Sequence, residues 1–329
     1  VSTKRANAAE PVLRDARKEA EERLDGRYET RVLEPSPPAV HRGPWFADDP
    51  IAPGDRAFAR PLVLPVTGGD LLWDELARDD AQLADWCACR WLGAWQRLGE
   101  LPSRLMSTRQ ALHKVAEHVI SPTRKRANGK IGLRYTFGGF GTPFFGADVQ
   151  IRVACDVLVV QVGERVQHGR LTTIADAAEF IGFDLTRYDL AGADMPLEID
   201  GEASCFVGDW FGLATSVLEQ LRVEAPDDPQ SSQVQLWPEH FDMAVELGSE
   251  REGGRATYGF SPGDDLHEEP YIYVAPWEGV PDDELWNGRG FRGAELPYAE
   301  LLLAEDQREA ALTFLRERRV ALAARQQRS

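Results

Sequence analysis

The sequence predicts an α+β fold, with mostly antiparallel sheets covered by helices and an irregular Pro-rich N-terminal arm. Three observations carry that prediction. Apolar residues alternate with a period of two in two stretches, 131–162 and 241–275, each divided into strands by turns. Segments with a helical repeat stand before, between and after these stretches, not between every pair of strands, which argues against a doubly wound parallel sheet. The chain has 329 residues, 43% of them hydrophobic and nine of them Trp, which is ample material for a core.

Residues 8–25 (AAEPVLRDARKEAEERLD) read as a charged helix with few apolar positions, so it is solvent-exposed or needs a partner surface; a homo-oligomer contact is expected there. Pro35, Pro37, Pro38, Pro44, Pro50, Pro53, Pro61 and Pro65 then forbid long helices and central strands, while Trp45, Phe46, Phe58 and Leu62 pin the arm to a core. From Asp70 to Trp95 the pattern is helical, with Leu72, Leu76, Leu83, Trp86, Trp91, Leu92 and Trp95 supplying apolar faces. A second helix is expected from about Thr108, its N-cap, to Ile120, closed by Ser121-Pro122.

Beyond a turn at Asn128-Gly129 the period becomes two. Ile131, Leu133 and Tyr135 alternate, a Gly-rich loop follows, and 149–153 with 157–162 reads as a hairpin turning at Ala154 to Asp156. A short helix is expected from Ile174 to Ile181, with Thr173 as N-cap and Gly182 as its stop, and another over 207–223. Residues 225–232 are linker-like. Phe241, Met243, Val245 and Leu247 alternate, as do Ala256, Tyr258 and Phe260, so a second hairpin turns at 250–254, with Tyr271 to Ala275 as third strand. Pro297 to Gln327 reads as one long amphipathic helix. The chain thus divides into a helix and Pro-rich arm (1–69), a helical layer (70–125), a first α+β unit (126–225) and a second with the C-terminal helix (226–329); 70–329 also reads as one compact domain. A weak echo links 140–153 with 260–274, each a Gly/Pro loop leading into an alternating strand.

Charge and cysteines narrow the function classes. The 37 basic and 54 acidic residues leave −17, which argues against a chain that coats nucleic acid or anionic lipid. No run approaches the roughly 20 apolar residues of a membrane helix, and Val1 to Glu22 lacks a secretory h-region, so a cytoplasmic protein is expected. Cys87 and Cys89 point to nearly opposite faces of a helical pattern, and Cys155 and Cys205 read as isolated, buried small hydrophobes. Only five Lys occur, so Arg carries most of the positive charge.

Several motifs fail on their chemistry. Gly259-Phe260-Ser261-Pro262-Gly263 matches G-x-S-x-G, yet the residue after the serine must donate its N–H to an oxyanion, and Pro262 has none. Gly139-Phe140-Gly141 with Gly146 leads into a strand and offers no helix N-terminus to a pyrophosphate; it reads as a tight turn between strands. His113 and His118 lie five apart, which in a straight α-helix leaves them about 140° apart and unable to grip one ion with Glu117. Arg124, Lys125, Arg126 and Lys130 form a basic run without aromatic interleaving, so a solvated turn is the better reading.

One constellation survives. In the 241–260 hairpin the aromatic positions share one face, which leaves His240, Asp242 and Glu246 with Thr257, Gly259 and Ser261 on the other. Antiparallel pairing also brings Glu239, His240 and Asp242 beside Asp264, Asp265, His267, Glu268 and Glu269 at one sheet end. Trp237, Tyr271, Tyr273 and Trp277 are near enough to wall a pocket for a small ligand or partner segment. Imidazole and carboxylate together also suit a divalent metal ion. In that alternative His240, Asp242, Asp264 and His267 are ligands, Glu239 or Glu268 carries the proton, and the reaction is a hydrolysis or isomerisation.

Four stretches, GKIGLRYTFGGFGTPFFG (129–146), LWPEHFD (236–242), YGFSPGDDLHEEPYIYVAPW (258–277) and LPYAELL (296–302), resemble an uncharacterised family of actinobacterial proteins. The resemblance implies a bacterial cytosolic origin and brings no activity or site residue with it.

Overall fold

The computed structural model describes residues 62–63, 71–72, 95–136, 138–142, 149–162, 165–188, 190–225, 231–280 and 284–326. The expected helices over 8–25 and most of 70–95, most of the Pro-rich arm, and Cys87 and Cys89 lie outside them. Leu62–Val63 (β1) pairs antiparallel with Leu71–Leu72 (β2), so the beginning of the expected 70–95 helix is strand instead.

Two five-stranded antiparallel sheets form the body of the described chain. The first runs β3 (Arg134–Thr136), β4 (Gly139–Gly141), β5 (Val149–Ala154), β6 (Val157–Val162) and β7 (Arg165–Arg170) in sequence order. The second is likewise sequential: β8 (Gln235–Trp237), β9 (Asp242–Leu247), β10 (Ala256–Ser261), β11 (Tyr271–Pro276) and β12 (Ala294–Pro297). Both are meanders, which short turns alone can connect; the period-two reading found β3, β5, β6, β9, β10 and β11, but not β7, β8 or β12. The two edges meet where Leu133 and Leu236 exchange backbone hydrogen bonds of 2.8 and 2.7 Å. Gly139–Gly141, expected as a turn, is a strand. A Cβ on either glycine would collide with β5, so the glycines permit close strand approach and do not mark the reversal.

The helices depart from expectation at their ends. The helix begins as α1 (Leu105–Val115), three residues before Thr108. The Thr108 hydroxyl, expected as a cap, instead accepts from the Asp200 N–H at 3.0 Å. Pro122 does not close this helix either. A π-turn over Ala116–Ile120, in which the Ser121 N–H reaches back to the Ala116 carbonyl, leads into α2 (Ser121–Asn128), whose first turn holds the proline. There its missing N–H costs no hydrogen bond that the preceding π-turn has not already displaced. Gly129, at φ 81°, ends the run at the expected turn.

Thr173 caps α3 (Ile174–Phe180) as expected, accepting from the Asp176 N–H. The next helix, α4 (Gly201–Val223), starts six residues earlier than its apolar repeat suggested, because the Asp200 carboxylate caps it through the Ala203 N–H. The C-terminal helix divides into α5 (Tyr298–Leu303) and α6 (Gln307–Gln326), with Asp306 capping the second by accepting from the Glu309 N–H.

The core gathers around α4. Its Trp210 packs on Phe260 of the second sheet and on Tyr298 of α5, at 5.2 and 5.9 Å between ring centres. Its Phe211 packs edge-on against Phe140 of the first sheet and Phe241 beside the second, at 6.1 and 5.3 Å. Gly208 lets the helix approach the Gly138 carbonyl more closely than any Cβ would allow. Cys155, at φ 50° in the β5–β6 turn, forms a disulfide with Cys205 in the first turn of α4. The reading of these two cysteines as isolated is thereby corrected: fifty residues separate them, and the docking of α4 on that turn brings them together. No helix among the described residues is long and apolar enough to cross a membrane.

Candidate functional site

The register of the second sheet sorts its residues onto two faces. Met243, Val245, Leu247, Ala256, Tyr258, Phe260, Ile272 and Val274 point into the core. On the opposite face Ser261 pairs with Tyr271, Gly259 with Tyr273, and Tyr273 in turn with Glu295; Asp242 stands level with Ser261. Any Cβ at Gly259 would overlap the Tyr273 ring, so this glycine makes the space in which that ring lies over the sheet.

A cavity of about 550 Å³ opens over the Asp242 end of this face. Asp242, Ser261, Tyr271, Tyr273 and Ala275 form its floor, and Gly263 to His267 one wall. The β8–β9 turn adds Glu239, His240 and Phe241, α1 adds Arg109, Gln110 and His113, and Gly290 and Phe291 complete it. Phe241 takes a positive φ of 55°, held there by burial among Phe140, Phe211 and a stacked His113 ring 5.4 Å away. That conformation turns the chain sharply between exposed His240 and buried Asp242.

Three side chains that line this cavity hold a buried atom without a hydrogen-bond partner, Arg109 Nε, His113 Nε2 and Asp242 Oδ1, and Arg109 and Asp242 are the deeply buried residues among them. The Tyr273 hydroxyl donates to Asp242 Oδ2, while Oδ1 of the same carboxyl, on a residue only 5% exposed, has no partner. Burial pushes the Asp242 carboxyl up to about 6, against the opposing pull of the Tyr273 hydrogen bond and of nearby His240. Such a group exchanges its proton close to neutrality. Arg109 is 6% exposed, and its Nε is sealed from solvent without an acceptor. Burial lowers its pKa, and Asp264 and Asp265 counteract this from a distance. Both tyrosines are held above the usual phenol range by burial and by neighbouring carboxylates, so they serve as neutral hydrogen-bond donors.

Asp264 is satisfied by contrast. It accepts from the backbone N–H of Leu266 and His267 at 2.7 and 2.8 Å, and from the Tyr271 hydroxyl at 2.6 Å. Although burial raises its pKa, these bonds prevail and hold it below the ordinary carboxylate value. His267 is clamped between acids, with Nδ1 3.1 Å from Asp264 and Nε2 3.2 Å from Glu295. Glu295, 4% exposed, also accepts from the Arg289 N–H at 3.0 Å.

Sequence reasoning placed Glu239, His240, Asp242, Asp264, His267, Tyr271 and Tyr273 in one neighbourhood, and all seven line the cavity. Glu268, Trp237 and Trp277 do not. Glu268 is exposed, and Trp277 is 49% exposed with its ring under the Arg255 guanidinium. The suggested metal ligands do not form a coordination set: no three His, Cys, Asp or Glu side chains among the described residues are arranged to hold one ion. Both ring nitrogens of His267 already face carboxylates, which leaves it none for a metal. Ser261 ends a strand and its hydroxyl accepts from the Gly263 N–H, a geometry unlike a nucleophile elbow. His113 and His118 both stand near Glu117, at 4.0 and 3.6 Å, the first as an ordinary i,i+4 neighbour.

Known proteins add nothing to this geometry. No protein-family model, curated protein or solved structure matches the chain. The residues that sequence reasoning missed are Arg109, Gln110 and His113 on α1, Leu266 on the loop, and Phe291 with Glu295 around β12. One of them left a signal: Arg109 interrupts the apolar stripe of Leu105, Leu112 and Val115, where a charge has no structural reason to be.

Proposed function

We propose that the protein binds a small polar ligand in the cavity at the Asp242 end of the second sheet. The observation that carries this reading is the pairing of two deeply buried, under-satisfied polar groups, Arg109 and Asp242, around one cavity. Buried polar groups ordinarily have partners, and groups that lack them in a walled cavity are positioned for a ligand to complete. Tyr271, Tyr273 and Phe291 provide the apolar contact area that such a ligand needs.

The metal-dependent alternative has less behind it, because its four ligands do not converge. A cytoplasmic setting belongs to the same reading, with the Cys155–Cys205 disulfide counting against it, since thiols there are kept reduced.

The test is a thermal-shift screen of small acids, amines, polyols and nucleosides against the wild-type chain and against Ala275→Phe, which fills the cavity floor. Ligands should raise the melting temperature of the wild type alone. If no compound distinguishes the two proteins, the cavity is not a binding site.

A further inference from the structure

The charges around the cavity do not balance. Arg109 faces four acidic side chains among the lining residues, Glu239, Asp242, Asp264 and Asp265. Such a lining repels a phosphate dianion or a dicarboxylate and suits a ligand of zero or positive net charge. Yet Arg109 calls for an anion. None of its nitrogens donates a hydrogen bond among the described residues, and its two acidic neighbours act on it only at long range. A buried guanidinium without acceptors is unfavourable, and its fork matches the two oxygens of one carboxylate. Asp264 does not fill that role, since its oxygens are taken by Leu266, His267 and Tyr271.

Asp242 presents the opposite need. Its Oδ1 is buried and accepts nothing, and the residue lines the same cavity. The aromatic rings of Tyr271, Tyr273 and Phe291 lie in one cluster, with 5.9 Å between the two tyrosines and 6.1 Å from Tyr273 to Phe291. An organic cation is stabilised beside such rings.

We propose that the occupant is a zwitterion of the amino-acid type, its carboxylate gripped by the Arg109 fork and its ammonium group held by Asp242 beside Tyr273. The remainder of the ligand lies against Phe291 and Leu266, the latter 75% exposed at the rim, so an apolar side chain is favoured there. This proposal rests on the small-ligand reading and narrows it to one class.

Calorimetric titration of the full chain with matched probes tests it. The probes are the common amino acids, with phenethylamine and 3-phenylpropanoate as single-charge counterparts of phenylalanine, and 3-methylbutylamine and 4-methylpentanoate as counterparts of leucine. Inorganic phosphate is the anionic control. A zwitterion should bind, and its amine and acid counterparts should each bind at least about tenfold more weakly, as loss of one charge-assisted contact implies. In Arg109→Met the zwitterion and its amine should bind alike. The wild-type comparison stands even if that variant fails to fold.

The proposal is overturned if no amino acid binds, if a single-charge counterpart binds as well as its zwitterion, or if phosphate binds best. In each of those outcomes, a ligand of another class that Ala275→Phe blocks preserves the broader small-ligand reading. If Ala275→Phe blocks nothing, both readings fall together.

Discussion

Asp242 concentrates the electrostatic cost of the site in one side chain. Its pKa stands at about 6 in the fold against an ordinary 3.8, so folding prefers the protonated form. A carboxyl raised in this way costs nothing below about pH 4. Ionisation becomes progressively more costly as the pH rises toward 6, and the full penalty, about 3 kcal/mol, applies above that. Asp242→Asn keeps an acceptor for Tyr273 and removes the ionisation. The stability of the variant relative to wild type should therefore grow by up to about 3 kcal/mol from about pH 4 to pH 7, measured by denaturant unfolding at each pH. A difference that stays flat across that range would mean that water reaches the carboxylate in the folded protein. Gly259 belongs to the same local design: its missing side chain admits the Tyr273 ring, and the ring's hydroxyl determines which Asp242 oxygen remains free.

At the level of elements, the start of α4 is fastened on two sides. The Asp200 N–H donates to the Thr108 hydroxyl, which links the cap of α4 to α1, the helix that carries Arg109. The Cys155–Cys205 disulfide joins the first turn of α4 to the β5–β6 turn of the first sheet. Closing a loop of this size restricts the unfolded chain by up to about 4 kcal/mol on the loop-entropy account. Replacing both cysteines, Cys155→Ser with Cys205→Ser, should lower unfolding free energy by an amount of that order, and a reducing agent should do the same to the wild type. If the double variant matched the wild type, the bond would contribute nothing net. The ends of helices were the least legible elements for a physical reason. Thr108 and Asp200 are both plausible caps on local grounds, and contact between their segments decided that one caps a helix while the other holds that cap in place.

For the whole molecule, α4 is the part on which both sheets depend. Trp210 and Phe211 are fully buried, one against the second sheet and α5, the other between Phe140 and Phe241. Trp210→Ala should cost about 3–5 kcal/mol, as large aromatic truncations in cores do, and should weaken both sheets together. Far-ultraviolet circular dichroism and intrinsic tryptophan fluorescence should then report one shared unfolding transition at a lower denaturant midpoint. Two separated transitions, with only one displaced, would show that the sheets unfold independently. The net charge of −17 acts at this scale too, as a field that disfavours anionic partners while leaving room for a local cation such as Arg109.

Local pattern alone determined a great deal about this protein. Alternation of period two identified the two central hairpins and the third strand of the second sheet, and it placed Asp242 and Glu246 on one face with Thr257, Gly259 and Ser261, because register between adjacent strands follows from short turns and side-chain alternation. The tertiary structure decided everything that depends on segments distant in sequence. It laid α1 across the sheet end so that Arg109 and His113 enter the cavity, brought Glu295 from β12 to His267, excluded Trp237 and Trp277, and paired Cys155 with Cys205. Periodicity reports which face of an element is buried. What that face meets depends on how whole elements pack, and among the described residues the two sheets pack around α4.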